Sequence, residues 1–254
     1  MKTASLLWFA LLLPAMSASA GQPAATVLRV WGQESLPPKW ILHDDHAEGV
    51  CPDILAAIES VEPRLRFSGM ADLRSLPAIE QGLAHGSIDC SCALLDTAYR
   101  RKIAVVAGDA LYQVRRRLAA AAGDTAVIDN LNDLVKMKPL IATARGAGYS
   151  EELRALGLEV DDSTGDNLIN LKKIIAGHGR FFYMNELSLN WIVRENGMAD
   201  KVRILPAVLG EEPVYFWVSK KTAPSAARLV DRALLKLKAN GELERIYERW
   251  AAER

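Results

Sequence analysis

The sequence predicts an α/β protein built as two lobes, and three observations carry that prediction. Short runs rich in branched and aromatic residues alternate with amphipathic helical segments, the pattern of strand–helix units with largely parallel sheets. Two segments, "AIEQGLAHGSIDCS" and "LKKIIAGHGRFFYM", share one design: helix, small residues, His, Gly, strand. They read as equivalent elements of two similar lobes. The C-terminal stretch follows a late strand that can return the chain to the first lobe.

The strands expected are "VLRVW" (27–31), "IDCSCALL" (88–95), "LIATA" (140–144), "RFFYM" (180–184) and "PVYFWVSK" (213–220). Helices are expected over "PDILAAIESVE" (52–62), "SLPAIEQGLAHG" (75–86), "EELRALG" (151–157) and "NLINLKKIIAGHG" (167–179), where apolar residues recur at helical spacing. Residues 223–254 read as a long helix, a break at Asn240–Gly241 and a second helix. His85 and His178 each precede a Gly suited to a left-handed helix cap, where the helix dipole favours an imidazolium. That accounts for both without a metal.

Lysine plus arginine equal aspartate plus glutamate at 31 each, so the chain lacks the basic footprint of bulk nucleic-acid binding. Lys2, the apolar run "ASLLWFALLLPAM" and Ala18-Ser19-Ala20 read as a cleaved secretory signal over residues 1–20. The apolar run is shorter than the roughly 20 residues of a spanning helix, so a soluble, exported protein is expected. In an oxidising compartment Cys51, Cys90 and Cys92 permit one disulfide and leave one thiol; three buried thiols are the alternative. "HDDH" (43–46) has no second group of ligands and reads as a loop rather than a metal site. "RRR" (115–117) is too short a basic run to signal a partner.

Two local patterns suit an anion. In "CALLDTAYRR" (92–101) an apolar run stops at Asp96–Thr97. Either residue can cap a short helix, and the Arg100 guanidinium beside the helix start makes a good carboxylate site. Arg101 reads as surface. In "ARGAGYS" (144–150) Gly146 and Gly148 permit close backbone approach at the start of the next helix.

These pieces occur together in a known family. "GVCPDILAAIE", "GSIDCSCALLDTAYRR", "ARGAGYSEELRALGLEV", "LKKIIAGHGRFFYMNEL", "PVYFWVSKK" and "ANGELERIYERW" stand in the right order and spacing. The chain resembles the extracellular solute-binding proteins of family 3, periplasmic receptors for polar amino acids, over essentially its whole mature length. The resemblance implies the two-lobe periplasmic binding protein fold of type II, each lobe a mainly parallel sheet flanked by helices. Lobe one would be residues 27–114 plus 213–254 and lobe two residues 115–212, joined by hinges near 113–116 and 207–213. A ligand would sit in the cleft and the lobes close over it.

Residue by residue, the resemblance makes Arg100, after Thr97-Ala98-Tyr99, the holder of a ligand carboxylate, with Thr97 beside it. Gly146, Ala147, Gly148 and Tyr149 would supply a second grip. Asn185 and Glu186 are the candidates for a ligand ammonium, although Phe182 stands where the family often has an aspartate. Trp31 and Trp40 are candidate aromatic walls, and Trp31 ends a strand, where open α/β sheets face their crevice. Leu95 and Asp96 depart from the family pattern. Leu95 in the cleft would remove a hydrogen bond to the ligand, and Asp96 would favour a cationic group unless it caps the helix. The family pattern also implies a Cys51–Cys92 disulfide, with Cys90 as the alternative partner.

The function implied is capture of an amino acid or related carboxylate in the periplasm, for uptake or sensing. No cofactor is implied. The partner implied is an inner-membrane ABC permease or a sensor protein, and the family default is a monomer. Two other readings stay open. One is a periplasmic cyclohexadienyl or arogenate dehydratase-like enzyme, with Glu186 or Asp96 as general acid. The other is an interaction module that has lost solute binding.

Overall fold

The computed structural model describes residues 25–44 and 46–251; the expected signal segment 1–20 lies outside them. In chain order the first elements are β1 (Thr26–Arg29), β2 (Gly32–Gln33), β3 (Ile41–His43), β4 (His46–Glu48), α1 (Val50–Val61), β5 (Leu65–Ser68), β6 (Leu73–Arg74), α2 (Leu76–His85), β7 (Cys90–Leu95) and α3 (Ala98–Ile103). The chain continues through β8 (Ala104–Ala121), α4 (Leu131–Met137), β9 (Leu140–Ala142), α5 (Tyr149–Ala155), β10 (Glu159–Asp161), α6 (Asn167–Ile175), β11 (Phe181–Asn185) and α7 (Glu186–Glu195). It ends with β12 (Val202–Ile204), β13 (Gly210–Ser219), α8 (Pro224–Ala239) and α9 (Glu242–Ala251). No helix among the described residues is long and apolar enough to cross a membrane.

The alternation of strands and helices is as the sequence predicts, but the sheet is mixed rather than mainly parallel. β1 pairs β5, and β9 pairs both β10 and β11, in parallel. β8 pairs β11, β12 and β13 antiparallel, and β13 pairs β7 antiparallel. The reason is the path of the chain. β8 carries it from the first lobe to the second, β13 brings it back, and two opposed crossings pair antiparallel. Residues 113–116 lie directly against 210–213 in that ladder.

Strand β8 has no counterpart in the sequence reading. "AVVAGDALYQVRRRLAAA" is rich in Ala, a poor strand former on propensity, carries three consecutive arginines, and is held by partners on both edges. β11 shows the opposite case. Phe181 and Tyr183 enter one second-lobe core with Leu118, Ile141 and Leu153, while Phe182 and Met184 enter another with Leu171 and Leu189. A strand buried on both faces reads as one apolar run.

In the first lobe Leu28, Val30, Ile54, Leu65 and Phe216 share a core with Val230 and Leu234 of α8 and Leu243 and Ile246 of α9. The tail therefore packs against the elements that begin the chain. The Cys51–Cys92 disulfide ties α1 to β7, and Cys90 is the buried free thiol. Gly86 caps α2 in the left-handed region after His85, as expected. α6 differs: it ends at Ile175, and the left-handed turn begins at Gly177, so His178 lies beyond the helix end.

Candidate functional site

A cavity of about 370 Å³ opens between the lobes, within the size range of small-molecule sites. Its first-lobe wall includes Gln33, Glu34, Lys39, Pro77, Ala93, Leu94, Leu95 and Arg100. Tyr112, Val114, Arg116 and Val214 of the crossing strands form its floor, and Ala144, Arg145, Ala147, Gly148, Tyr149, Asn167 and Asn185 come from the second lobe. The lobes already touch, since Asn167 Nδ2 donates to the Ser35 carbonyl oxygen.

Arg100 is set by local capping and by a buried ion pair. Thr97 caps α3, its Oγ1 accepting the Arg100 N–H at 3.2 Å. The guanidinium is nearly buried, donating Nε to Glu80 Oε1 at 2.8 Å and Nη1 to the Leu95 carbonyl at 2.7 Å. Nη2 makes no hydrogen bond with the described residues. Burial lowers the Arg100 pKa while Glu80 opposes that shift; the guanidinium remains a cation.

Lys39 is the second cation of this wall, at 4 % exposure. Its Nζ donates to Gln33 Oε1 at 2.8 Å and to the Ala93 carbonyl at 2.7 Å. Ala93 lies in the left-handed region, at φ 55°. The β7–β13 register slips between Leu94/Tyr215 and Ser91/Trp217, a bulge of the kind that re-aims backbone groups. Burial, then the neighbouring Arg100, pushes the Lys39 ammonium well below its ordinary pKa.

Arg116 crosses the floor. It donates to Glu152 at 3.1 Å and Glu212 at 2.7 Å, and its guanidinium lies over the rings of Tyr149 and Tyr183 at 5.5 and 5.6 Å. Gly210 makes room for it, because a Cβ there would meet Arg116 Nε at 2.6 Å. Each arginine of "RRR" is neutralised in this way: Arg115 pairs with Glu211 and Arg117 with Glu186.

The sequence pattern of the bacterial extracellular solute-binding proteins, family 3, matches residues 28–253. The chain belongs to that family. It is 24 % identical over 199 residues to the L-glutamate/L-aspartate-binding protein of Pseudomonas aeruginosa, covering 74 % of this chain and 61 % of that protein. The match thus spans less than two thirds of that relative. A histidine kinase sensor domain with similarity to periplasmic binding proteins superposes with a TM-score of 0.75 at 18 % identity, covering 89 % of this chain and 96 % of that one. An ancestral amino acid-binding protein, a precursor of cyclohexadienyl dehydratase, gives 0.71 at 16 % identity over 89 % and 96 %. At such identities the likeness shows the two-lobe fold.

In this family-3 protein the cavity brings together Arg100, Leu95, Ala147, Gly148, Tyr149 and Asn185 of the residues expected from the sequence. The others lie off its wall. Trp40 is buried in the first-lobe core against Gly32. Trp31 packs over Gly82 of α2 with Arg74 above its ring at 5.6 Å; its strand end turns the indole toward that helix. Asp96 accepts from Arg101 Nε at 2.7 Å, which draws its carboxylate away. Thr97 is occupied as a cap, Glu186 pairs with Arg117 at 2.9 Å, and Gly146 faces Pro77 at the lip.

Lys39 was missed by sequence reasoning, although it adjoins Trp40 in "SLPPKW". A lysine set between a Pro pair and an apolar Trp-Ile-Leu run was the available signal. Asn167 was missed as well. Its Oδ1 is buried without a hydrogen-bond partner among the described residues, and no pattern in "GDNLIN" points to that.

Proposed function

We propose that this family-3 protein captures a small carboxylate solute, an amino acid or a related acid, in the cavity between its lobes. The observation that carries the reading is Arg100: a buried guanidinium on the cavity wall, with two nitrogens fixed by Glu80 and Leu95 and a third without a partner among the described residues. A pre-positioned planar donor of this kind suits a carboxylate. The protein would act in the periplasm and deliver its solute to an ABC permease or report it to a sensor protein. Residues 27–114 with 213–254 would move against residues 115–212, flexing where 113–116 pairs with 210–213.

Binding without chemical change is the reading favoured over a dehydratase. Glu186 and Asp96, the candidate general acids, are held by Arg117 and Arg101 and are not among the cavity residues. The one carboxylate on the wall among the described residues is Glu34, which is exposed. Calorimetric titration with amino acids and small organic acids tests the proposal. Saturable one-to-one binding of a carboxylate, with no product formed from prephenate, is the expected outcome. Turnover of prephenate would replace the reading by the enzymatic one.

A further inference from the structure

Among the described residues Lys39 has no acidic partner. Its ammonium is nearly removed from water and is held by two neutral oxygens, those of Gln33 and Ala93. A buried charge without a counter-charge is costly, which is why the Lys39 pKa is depressed, and an anion beside it would restore the charged form. Here it sits in the wall of a cavity beside Arg100.

The fold also fixes Lys39 firmly. The first N–H groups of α1, from Val50 and Cys51, donate to the carbonyls of Pro38 and Lys39 at 2.9 and 3.1 Å. Gly49 permits this close approach: its φ is +124°, and a Cβ there would meet the Pro38 carbonyl oxygen at 2.3 Å. Cys51, in the same turn, is tied to β7 by the disulfide. The ammonium is thus in place before any solute arrives, which lowers the ordering cost of binding.

The charged groups that line or back the cavity sum to zero, four cations against four carboxylates, but their pairing is uneven. Arg100 is matched by Glu80, and Arg116 by Glu152 and Glu212. Lys39 is unmatched, and Arg145 makes its side-chain hydrogen bond to a backbone carbonyl, that of Ser163. Against these stands Glu34. Asn167 Oδ1 can accept a hydroxyl or an amine but adds no charge.

We propose that Lys39 is a second anion-holding residue beside Arg100, and that the cavity selects small acids of net negative charge, with or without an amine, over neutral zwitterions and cations. The inference rests on the solute-capture reading and deepens it.

The test is calorimetric titration of the full chain with succinate, L-glutamate, L-glutamine and L-arginine, for wild type, Lys39→Met and Gln33→Glu. Succinate or glutamate should bind wild type at least about tenfold more tightly than glutamine, a difference of about 1.4 kcal/mol. Lys39→Met keeps the unbranched stem as far as Cε without the ammonium and should remove that preference without lowering the melting temperature of the unliganded protein. Gln33→Glu places a carboxylate on Nζ and should shift preference toward glutamine. Glutamine binding wild type as tightly as the acids, or an acid preference that survives both substitutions, overturns the inference and leaves solute capture standing. No saturable binding of any of the four to the folded protein overturns both.

Discussion

Nε of Arg100 lies 2.8 Å from Oε1 of Glu80, and the two side chains are 3 % and 19 % exposed. The residue proposed to hold the solute is therefore also part of the packing between α2 and α3. Arg100→Ala should abolish carboxylate binding and also destabilise the fold by about 3–5 kcal/mol, since it leaves Glu80 without its counter-charge. Arg100→Lys should recover part of the stability and little of the affinity, because an ammonium lacks the planar fork. Urea unfolding and calorimetry on the two variants separate these effects.

Gly148 stands across the cleft from Leu95 and Thr97. Its backbone is right-handed helical, at φ −59°, and a Cβ would meet Leu95 Cδ1 and Thr97 Cγ2 at 3.6 Å, an ordinary contact. Gly148→Ala should leave affinity within about threefold, less than about 0.7 kcal/mol. Gly148→Phe should fill the space between the lobes and abolish binding, with the unfolding midpoint nearly unchanged.

The Cys51–Cys92 bridge spans 41 residues, and the chain-entropy account assigns a loop of that length roughly 4 kcal/mol. The double variant Cys51→Ser/Cys92→Ser should lose stability of that order in urea unfolding. Burial, with Asp89 nearby, raises the Cys90 thiol far above its ordinary range, so it stays protonated and inert. Thiol reagents should label the folded wild type at no site and the unfolded, non-reduced chain at one.

Asp161 gives the second lobe an acid-sensitive contact. Hydrogen bonds from Lys173 first and Ser163 next depress its carboxyl from 3.8 to about 2. The folded value lies below the unfolded one, so the stabilisation is fully present above about pH 4 and is lost as pH falls toward 2. Asp161→Asn should flatten the fall in melting temperature across that window and leave the slope above pH 5 as in wild type.

How much of this was legible in the sequence depended on whether a side chain faced one environment. Strands such as "RFFYM" declare themselves as a continuous apolar run, and helices such as "NLINLKKII" by apolar positions at helical spacing. β8 does not, because its Ala and Arg residues are placed by neighbouring strands and by glutamates distant in sequence. In the site, Arg100 was legible through its capping turn and the family pattern. Trp31 and Trp40 were not, because an indole at a strand end or in a loop packs equally well on a core as on a ligand. Lys39 depends on a bulge at Ala93 that no glycine or proline marks, and Asp96 and Glu186 on arginines that claim their carboxylates.

The most direct test of solute capture at Arg100 is a thermal-shift comparison of wild type and Arg100→Ala against small carboxylates. At a hundredfold excess over its Kd, a bound solute stabilises the folded state by about 2.7 kcal/mol. The expected result is a shift in wild type that is absent in the variant. An equal shift in both proteins, or none in folded wild type with any carboxylate, would contradict the account.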